Sequence, residues 1–250
     1  RIRSLFIPEE GCTWDVFDYS QQEPRLVAHY AKLDEFDSVA DVIEAYHNED
    51  ADFHQIVADM ANIPRKQAKT INLGLSYGMG KEKLIRELGL DEFEAEKLFQ
   101  QYHEKVPFIK ALQDQCTRIA NLKGFIKTIG GRRCRFDLWE SKFERTTPLA
   151  KDEAITKYGD ELKRSFTYKA LNRLIQGSAA DMTKLAMIEL WKEGIVPHLQ
   201  IHDEVDISIE NHAQAKKVIE IMENCVKIAV PLLVDAELGQ SWGEVKEITL

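Results

Sequence analysis

Strand-like segments stand near both ends of this chain, and a long helical stretch separates them. Residues 2–7 (IRSLFI) and 12–19 (CTWDVFDY) are rich in β-branched and aromatic residues and flank a turn, which predicts a hairpin. Residues 198–210 (HLQIHDEVDISIE) predict two strands joined by a tight turn. Apolar residues recur at helical spacing between about 38 and 122, where Asp91 is a candidate N-cap, and again between about 165 and 193. The sequence therefore predicts a mixed fold of helices and sheet.

The composition excludes several classes of protein. With 250 residues, 44% of them hydrophobic and 30% charged, the chain can form one or two globular domains with a substantial core. We expect no signal peptide, and no apolar run approaches the roughly 20 residues that a membrane span needs. Its four cysteines include no CxxC pair, which indicates reduced thiols in an intracellular protein. The net charge of −9 argues against indiscriminate nucleic-acid binding, although a local basic surface can still meet phosphates.

One predicted helix carries an unusual stripe of side chains. In RKQAKTINLGLSYG, which follows Pro64, the residues Arg65, Lys69, Leu73 and Tyr77 recur at steps of four and so lie along one face. A buried stripe would not begin with two cations, and a solvated stripe would not end with a leucine and a tyrosine. An object with charged, sugar-like and flat parts fits such a stripe. A nucleotide is such an object.

Carboxylates stand at the ends of two predicted strands. Asp18 is the third residue of VFDY, at the end of an apolar predicted strand, and Asp203 and Glu204 occupy the predicted turn of the hairpin near the end of the chain. Either motif alone is more simply an acidic turn in solvent. Together, carboxylates at adjacent strand ends predict a Mg²⁺ site, because Mg²⁺ prefers oxygen ligands and substrate phosphates. Two such ions can clamp an in-line displacement at phosphorus.

Three motifs make the sequence similar to a known family. DYSQQE (18–23), RKQAKTINLGLSYG (65–78) and QIHDE (200–204) resemble, in order and rough spacing, the signature motifs of family A DNA polymerases. The resemblance covers nearly the whole chain. Further similar segments are DFH (52–54), TIGGRR (128–133) and LNRLIQGSAADMTKLAM (171–187).

The resemblance implies a right-hand polymerase fold of the α+β type. In that fold a palm with an antiparallel sheet carries helical fingers. The expected domains are palm at 1–33 and 166–250, fingers at 34–136 and a surface insertion at 137–165. The thumb and any exonuclease domain are expected upstream and absent from this chain, either in cis or on a separate chain.

The resemblance also assigns roles to the acidic motifs. Asp18 and Asp203 are expected to bind two Mg²⁺ ions, which Mn²⁺ can replace, with the backbone carbonyl of Tyr19 as a further ligand. Glu204 is expected beside them in a lesser catalytic role. Lys69 is the fourth catalytic candidate.

Other residues are expected to contact nucleotide or DNA. Arg65 and Lys69, assisted by His54, are expected to hold the triphosphate of a dNTP. Leu73 is expected to pack on its sugar and base, and Tyr77 to guard the position of the template base. Glu23 is expected beneath the sugar, where it blocks a 2′-hydroxyl, and Gln21 is a further nucleotide contact. The candidates for contacts with primer-template DNA are Asn172, Gln176, His202, Arg132 and Arg133.

The sequence departs from the family pattern at three of its motif positions. Gln22 and Pro24 stand where aliphatic residues are usual, and Leu73 replaces an aromatic residue. These departures favour a phage over a bacterial source, and either one implies the cytoplasm of a bacterial or phage-infected cell. The predicted function is template-directed DNA synthesis. The alternatives are a single-subunit RNA polymerase and a non-catalytic DNA-binding polymerase subunit, and a two-metal nuclease would leave the stripe unexplained.

Overall fold

Helices make up most of the middle of the chain, as the sequence predicts. The computed structural model describes residues 2–36, 39–47, 52–76 and 81–248. Within these residues the α-helices are α1 (Gln22–Leu33), α2 (Ala40–His47), α3 (Phe53–Ala61), α4 (Arg65–Ser76), α5 (Lys81–Leu88), α6 (Glu92–Lys105), α7 (Pro107–Lys123), α8 (Lys151–Tyr158), α9 (Ala170–Lys192) and α10 (His212–Asn224). None of these described helices is long and apolar enough to cross a membrane.

Ten strands form three antiparallel sheets among the described residues. The strands are β1 (Thr13–Tyr19), β2 (Phe125–Lys127), β3 (Arg133–Arg135), β4 (Leu138–Ser141), β5 (Leu149–Ala150), β6 (Leu162–Arg164), β7 (Leu199–Ile201), β8 (Glu204–Ile209), β9 (Val234–Gly239) and β10 (Lys246–Ile248). The largest sheet has the order β10-β9-β1-β8-β7, and the smaller sheets have the orders β2-β3 and β5-β4-β6. Every pairing is antiparallel, which confirms the predicted α+β class.

The chain forms two compact units. The first unit comprises residues 1–29 and 178–250 and contains the five-stranded sheet. The second unit comprises residues 30–177 and contains helices α2 to α8 and both small sheets. The names and boundaries of palm, fingers and insertion remain predictions.

The first unit is built on the central strand β1. Phe17 and Tyr19 are buried while Asp18 between them is exposed, as alternation along a strand requires. Helix α10 packs against β1, β8 and β9, and its Val218 and Met222 are fully buried. The Tyr19 hydroxyl donates a hydrogen bond of 2.7 Å to the backbone carbonyl of Met222, which ties the end of β1 to this helix.

The hairpin predicted from residues 2–7 and 12–19 is wrong. Arg3–Leu5 form a short 3-10 helix, and the side chains of Ile2 and Leu5 are 75% and 78% exposed. The physical reason is that β1 already pairs with β8 on one edge and with β9 on the other. No edge of β1 is left for the preceding segment.

Other local predictions are confirmed. Helix α4 begins at Arg65 directly after Pro64, and Asp91 caps α6 in a capping box with Glu94. Strands β7 and β8 form the predicted hairpin, but its two-residue loop is His202 and Asp203, and Glu204, which was predicted in the turn, is the first residue of β8. The charged segment 137–165 shows no pattern in the sequence, and its sheet β5-β4-β6 and helix α8 were not predicted.

Arg25 fixes the loop that follows β1. Its side chain is 1% exposed, and it donates hydrogen bonds from Nε to the carbonyl of Ser20 at 2.8 Å and from Nη1 to the carbonyl of Pro231 at 2.6 Å. Ser20 in turn donates its N–H to the carbonyl of Leu233. A buried guanidinium therefore joins the start of α1 to the segment that precedes β9.

We predict that Arg25→Met lowers the free energy of unfolding by about 3 kcal/mol, because hydrogen bonds to charged groups contribute roughly 1.5–3 kcal/mol each. Methionine approximates the length of the apolar stem and donates no hydrogen bond. The measurement is urea unfolding, with Lys32→Met, an exposed position of α1, as the control. Equal losses in the two variants would show that the Arg25 hydrogen bonds do not hold this loop.

Candidate functional site

Four carboxylates converge at one edge of the first unit. Asp18 at the end of β1 lies directly opposite Glu204 of β8 and also opposite Asp235 of β9. Directly opposed residues in antiparallel strands project from the same face. Asp203 is next to Glu204 in the chain, in the loop between β7 and β8. We call Asp18, Asp203, Glu204 and Asp235 the acidic cluster.

The acidic cluster perturbs the ionisation of Asp18. Desolvation against the sheet, followed by repulsion from Asp203, Glu204 and Asp235, raises the pKa of Asp18 from 3.8 to about 7. A hydrogen bond to the backbone of Tyr19 acts in the opposite direction. These carboxylates therefore lie close enough to repel one another, and a bound cation would relieve that repulsion.

The donor atoms of the acidic cluster suit a hard cation. All of these donor atoms are oxygens, which Mg²⁺ prefers as ligands. The predicted ligand set consists of the side chains of Asp18 and Asp203 and the backbone carbonyl of Tyr19. In the described part of the chain, no three His, Cys, Asp or Glu side chains already have an arrangement that could hold a metal ion. A set with two carboxylate side chains is compatible with that finding.

Asp235 does not appear among the residues that the sequence singles out. It lies in a strand of mixed character near the end of the chain, with nothing local to distinguish it from a solvated acid. Only the pairing of β9 with β1 brings it opposite Asp18. A further carboxylate of the same sheet, Asp206, lies opposite Val16 of β1 and is fully buried, and burial followed by the charge of Glu204 raises the pKa of Asp206.

Unusual backbone conformations stand beside the acidic cluster. Gln21, just after β1, has φ of 53°, and His202, just after β7, has φ of 56°. Both are in the left-handed region, which non-glycine residues rarely adopt. Glu23 lies in the first turn of α1, which begins at Gln22 with Pro24 accommodated in that first turn, where a missing N–H costs little. Gln21 and Glu23 are both half-buried.

The second unit brings the predicted triphosphate ligands together. Arg65 and Lys69 are exposed on α4, and both lower the pKa of the neighbouring His54, for which burial is the largest cause of the lowering. Arg65 forms an ion pair with Asp52, with Nε and Nη2 at 2.6 and 2.5 Å from Oδ2. The other carboxylate oxygen of Asp52 accepts the N–H groups of His54 and Gln55 and so caps α3.

The structure describes the rest of the stripe only in part. The backbone of Leu73 belongs to α4, and its side chain is outside the described part of the chain. Tyr77 lies outside the described residues altogether. The roles predicted for these two residues remain predictions.

Four of the DNA-binding candidates lie in the second unit. Arg132 is exposed and donates from Nη2 to the carbonyl of Gly177 at 2.9 Å, which places it beside α9, the helix that carries Asn172 and Gln176. The Arg133 guanidinium lies 4.7 Å from the ring centroid of Phe125. Gln176 is exposed and Asn172 half-buried. The fifth candidate, His202, is exposed in the loop of the β7–β8 hairpin, beside Asp203 in the first unit.

The comparisons with known proteins agree with one another. The model of "DNA polymerase family A" matches residues 1–244. A DNA-directed DNA polymerase of Pseudomonas phage M6 is 38% identical over 96% of this chain, and the thermostable DNA polymerase I of Thermus aquaticus is 31% identical over 99%. The chain spans 40% and 29% of the lengths of these two relatives.

A solved structure is also similar. It is the POL domain of Pol1 from M. smegmatis, in complex with a DNA primer-template and a dNTP. Its sequence is 29% identical to this chain, the TM-score is 0.75, and the match covers 96% of this chain and 42% of that one.

We predict that, without metal, Asp18→Asn raises the melting temperature at pH 8 and has a smaller effect at pH 5. The folded-state pKa of Asp18 is raised to about 7, so the unfolded chain releases its proton first as the pH rises. Wild-type stability is therefore lost between about pH 4 and pH 7, and asparagine removes that loss. The measurement is thermal unfolding in EDTA, with Asp137→Asn at an exposed position as control. A lower melting temperature for Asp18→Asn at pH 8 would contradict the repulsion.

Proposed function

The chain belongs to DNA polymerase family A, and we propose on this basis that it carries the nucleotidyl-transfer part of a DNA-directed DNA polymerase. This part would add deoxynucleotides to the 3′ end of a primer. The observation that carries the proposal is the antiparallel pairing of β1 with β8, which sets Asp18 opposite Glu204 and beside Asp203. In this proposal the five-stranded sheet belongs to the palm and helices α2 to α7 to the fingers.

The acidic cluster would hold the metal ions of the reaction. Asp18, Asp203 and the carbonyl of Tyr19 would be the ligands of two Mg²⁺ ions, for which Mn²⁺ can substitute. When bound, the ions would supply charge stabilisation for the attacking and leaving oxygens. Glu204 would contribute negative charge next to the two aspartates. The rigid pairing of β1 on both edges would keep these carboxylates in place before substrate arrives.

The second unit would bind the triphosphate of the incoming dNTP. Arg65 offers a planar fork of donors and Lys69 a compact point charge, which suits different phosphate oxygens. His54 would assist them from α3. From the sequence, Leu73 would contact the sugar and base and Tyr77 the template position. Gln21 and Glu23 would contact the nucleotide, with Glu23 excluding a 2′-hydroxyl.

Primer-template DNA would be the second substrate. Asn172, Gln176 and His202 offer donors suited to minor-groove acceptors, which are similar in all correct base pairs and so permit contact without sequence preference. Arg132 and Arg133 would contact the phosphate backbone. We also propose an upstream thumb and exonuclease portion, in cis or as a separate chain, and a cytoplasmic location.

The first test is the removal of a proposed metal ligand. Asp203→Ala should reduce primer extension at least 100-fold, because a few kcal/mol of lost transition-state stabilisation has roughly that effect on rate. Extension is measured with Mg²⁺ and dNTPs, for the chain alone and joined to its upstream portion. DNA binding should persist, and Asp160→Ala, at an exposed loop position, is the control.

The same assay separates the alternatives. Near-normal extension by Asp203→Ala would refute the assignment of this ligand. Extension with rNTPs in preference to dNTPs would indicate an RNA polymerase. DNA binding with no extension by any form of the wild-type protein would indicate a non-catalytic subunit.

The second test concerns the triphosphate. Lys69→Ala should raise KM for dNTP and lower kcat, whereas Lys66→Ala, an exposed lysine of the same helix, should change neither by more than about twofold. Loss of one hydrogen bond between charged groups corresponds to roughly a 10- to 100-fold loss in kcat/KM. If Lys69→Ala weakens primer-template affinity and leaves the dNTP kinetics intact, helix α4 binds DNA instead.

A further inference from the structure

Three side chains form a continuous hydrogen-bonded row through the second unit. The hydroxyl of Tyr102 on α6 hydrogen-bonds to Oδ1 of Asn72 on α4. The amide Nδ2 of Asn72 lies 3.1 Å from Nδ1 of His54 on α3. Tyr102 is fully buried, Asn72 is 4% exposed and His54 is half-buried. The row therefore begins in the core and ends at one of the proposed triphosphate ligands.

The burial of Tyr102 fixes the direction of the whole row. Its O–H must donate, because a buried donor without an acceptor costs about 1–3 kcal/mol, and Asn72 is the one acceptor that the described residues offer to it. The oxygen of the Asn72 amide therefore faces Tyr102, and the NH₂ group faces His54. The opposite orientation of the amide would leave the Tyr102 proton without an acceptor.

The direction of the row determines the state of the imidazole. Nδ1 of His54 accepts a hydrogen from Asn72, so it cannot carry a proton of its own. The hydrogen of the neutral ring must then be on Nε2. Burial of His54, with the nearby charges of Lys69 and Arg65, lowers its pKa, while Asp52 acts in the opposite direction. A neutral ring near pH 7 agrees with the role of Nδ1 as an acceptor.

We propose that Asn72 and Tyr102 are positioning residues that hold His54 in the Nε2–H tautomer, so that His54 presents a neutral donor to a phosphate oxygen of the nucleotide. The tautomer follows from the hydrogen bonds alone, and only its use on a phosphate rests on the proposed function. The other tautomer would direct a lone pair of Nε2 towards an anion. A donor at Nε2 attracts phosphate oxygens in addition to the charges of Arg65 and Lys69.

The tautomer is tested directly by NMR of the 250-residue chain labelled with ¹⁵N at histidine. The ¹⁵N shifts distinguish protonated from unprotonated ring nitrogens, and His54→Gln identifies the signal. We expect a proton on Nε2 of His54 and a titration midpoint below the ordinary 6.5. In Asn72→Asp the carboxylate accepts a hydrogen, so the proton should move to Nδ1 and the midpoint should rise. Tyr102→Phe, a conservative change, should give a mixture of tautomers.

The use of the tautomer is tested by dNTP kinetics in whichever form of the protein extends primers. At a pH above the raised midpoint, where the ring is neutral and Nε2 has no hydrogen, Asn72→Asp should raise KM for dNTP about tenfold, through loss of one hydrogen bond to a charged group. Tyr102→Phe should raise KM less. Asn121→Asp, the same substitution at an exposed position of α7, is the control for added charge.

The two measurements fail in different ways. A proton on Nδ1 of His54 in the wild-type protein would overturn the inference, whatever the enzyme does. If Asn72→Asp and Tyr102→Phe change the tautomer as expected but leave KM for dNTP unchanged, His54 does not bind phosphate. The hydrogen-bonded row would then still stand. A wild-type protein that never extends primers would refute the proposed function, and the NMR result would stand by itself.

Discussion

The electrostatic repulsion within the acidic cluster is the constraint on which the first unit depends. Like charges directly opposite each other destabilise antiparallel strands, and here Asp18 faces one carboxylate on each neighbouring strand. The sheet must therefore be held by other interactions. Phe17 and Tyr19, on either side of Asp18, are buried, and Arg25 binds the loop behind β1 through two backbone carbonyls. Packing and hydrogen bonds keep together carboxylates that would otherwise separate, which is what a cation site requires before the cation binds.

The second unit positions positive groups by a different physical means. Arg65 has five N–H donors, and its ion pair with Asp52 occupies two of its nitrogens on one oxygen. This ion pair does not use Nη1 or the second hydrogen of Nη2, which would face phosphate in the proposed function. Because Asp52 also caps α3, one carboxylate orients both Arg65 and the helix that carries His54. In the described residues Lys69 has no ion-pair partner. The cations are thus oriented without being fully neutralised.

Many of the helices and strands could be predicted from the local sequence. The remaining features depend on pairing between strands that are far apart in the chain. The β-rich segment of β1, the tight turn between β7 and β8, and the cap at Asp91 are local signals that the structure confirms. Segment 2–7 has high β-propensity and was therefore predicted as a strand paired with β1. It cannot pair there, because β8 and β9 already occupy both edges of β1. Asp235 could not be found, because nothing near it in sequence indicates that β9 pairs with β1. The strands of residues 138–164 are two to four residues long, too short for any periodic signal.

The row from Tyr102 to His54 shows why a residue's chemical state can escape sequence reasoning even when its role is recognised. Asn72 and Tyr102 are ordinary helix residues, thirty positions apart in the chain, and neither belongs to the charged stripe of α4. These two residues act by determining which ring nitrogen of His54 carries the hydrogen. A histidine near Arg65 and Lys69 could in principle add a third positive charge, but burial and these neighbouring cations oppose that charge. A fixed neutral tautomer resolves the conflict, because it adds a donor for phosphate without adding to the repulsion between the cations. In the proposed function, the core of the second unit would thus determine how its surface binds an anion.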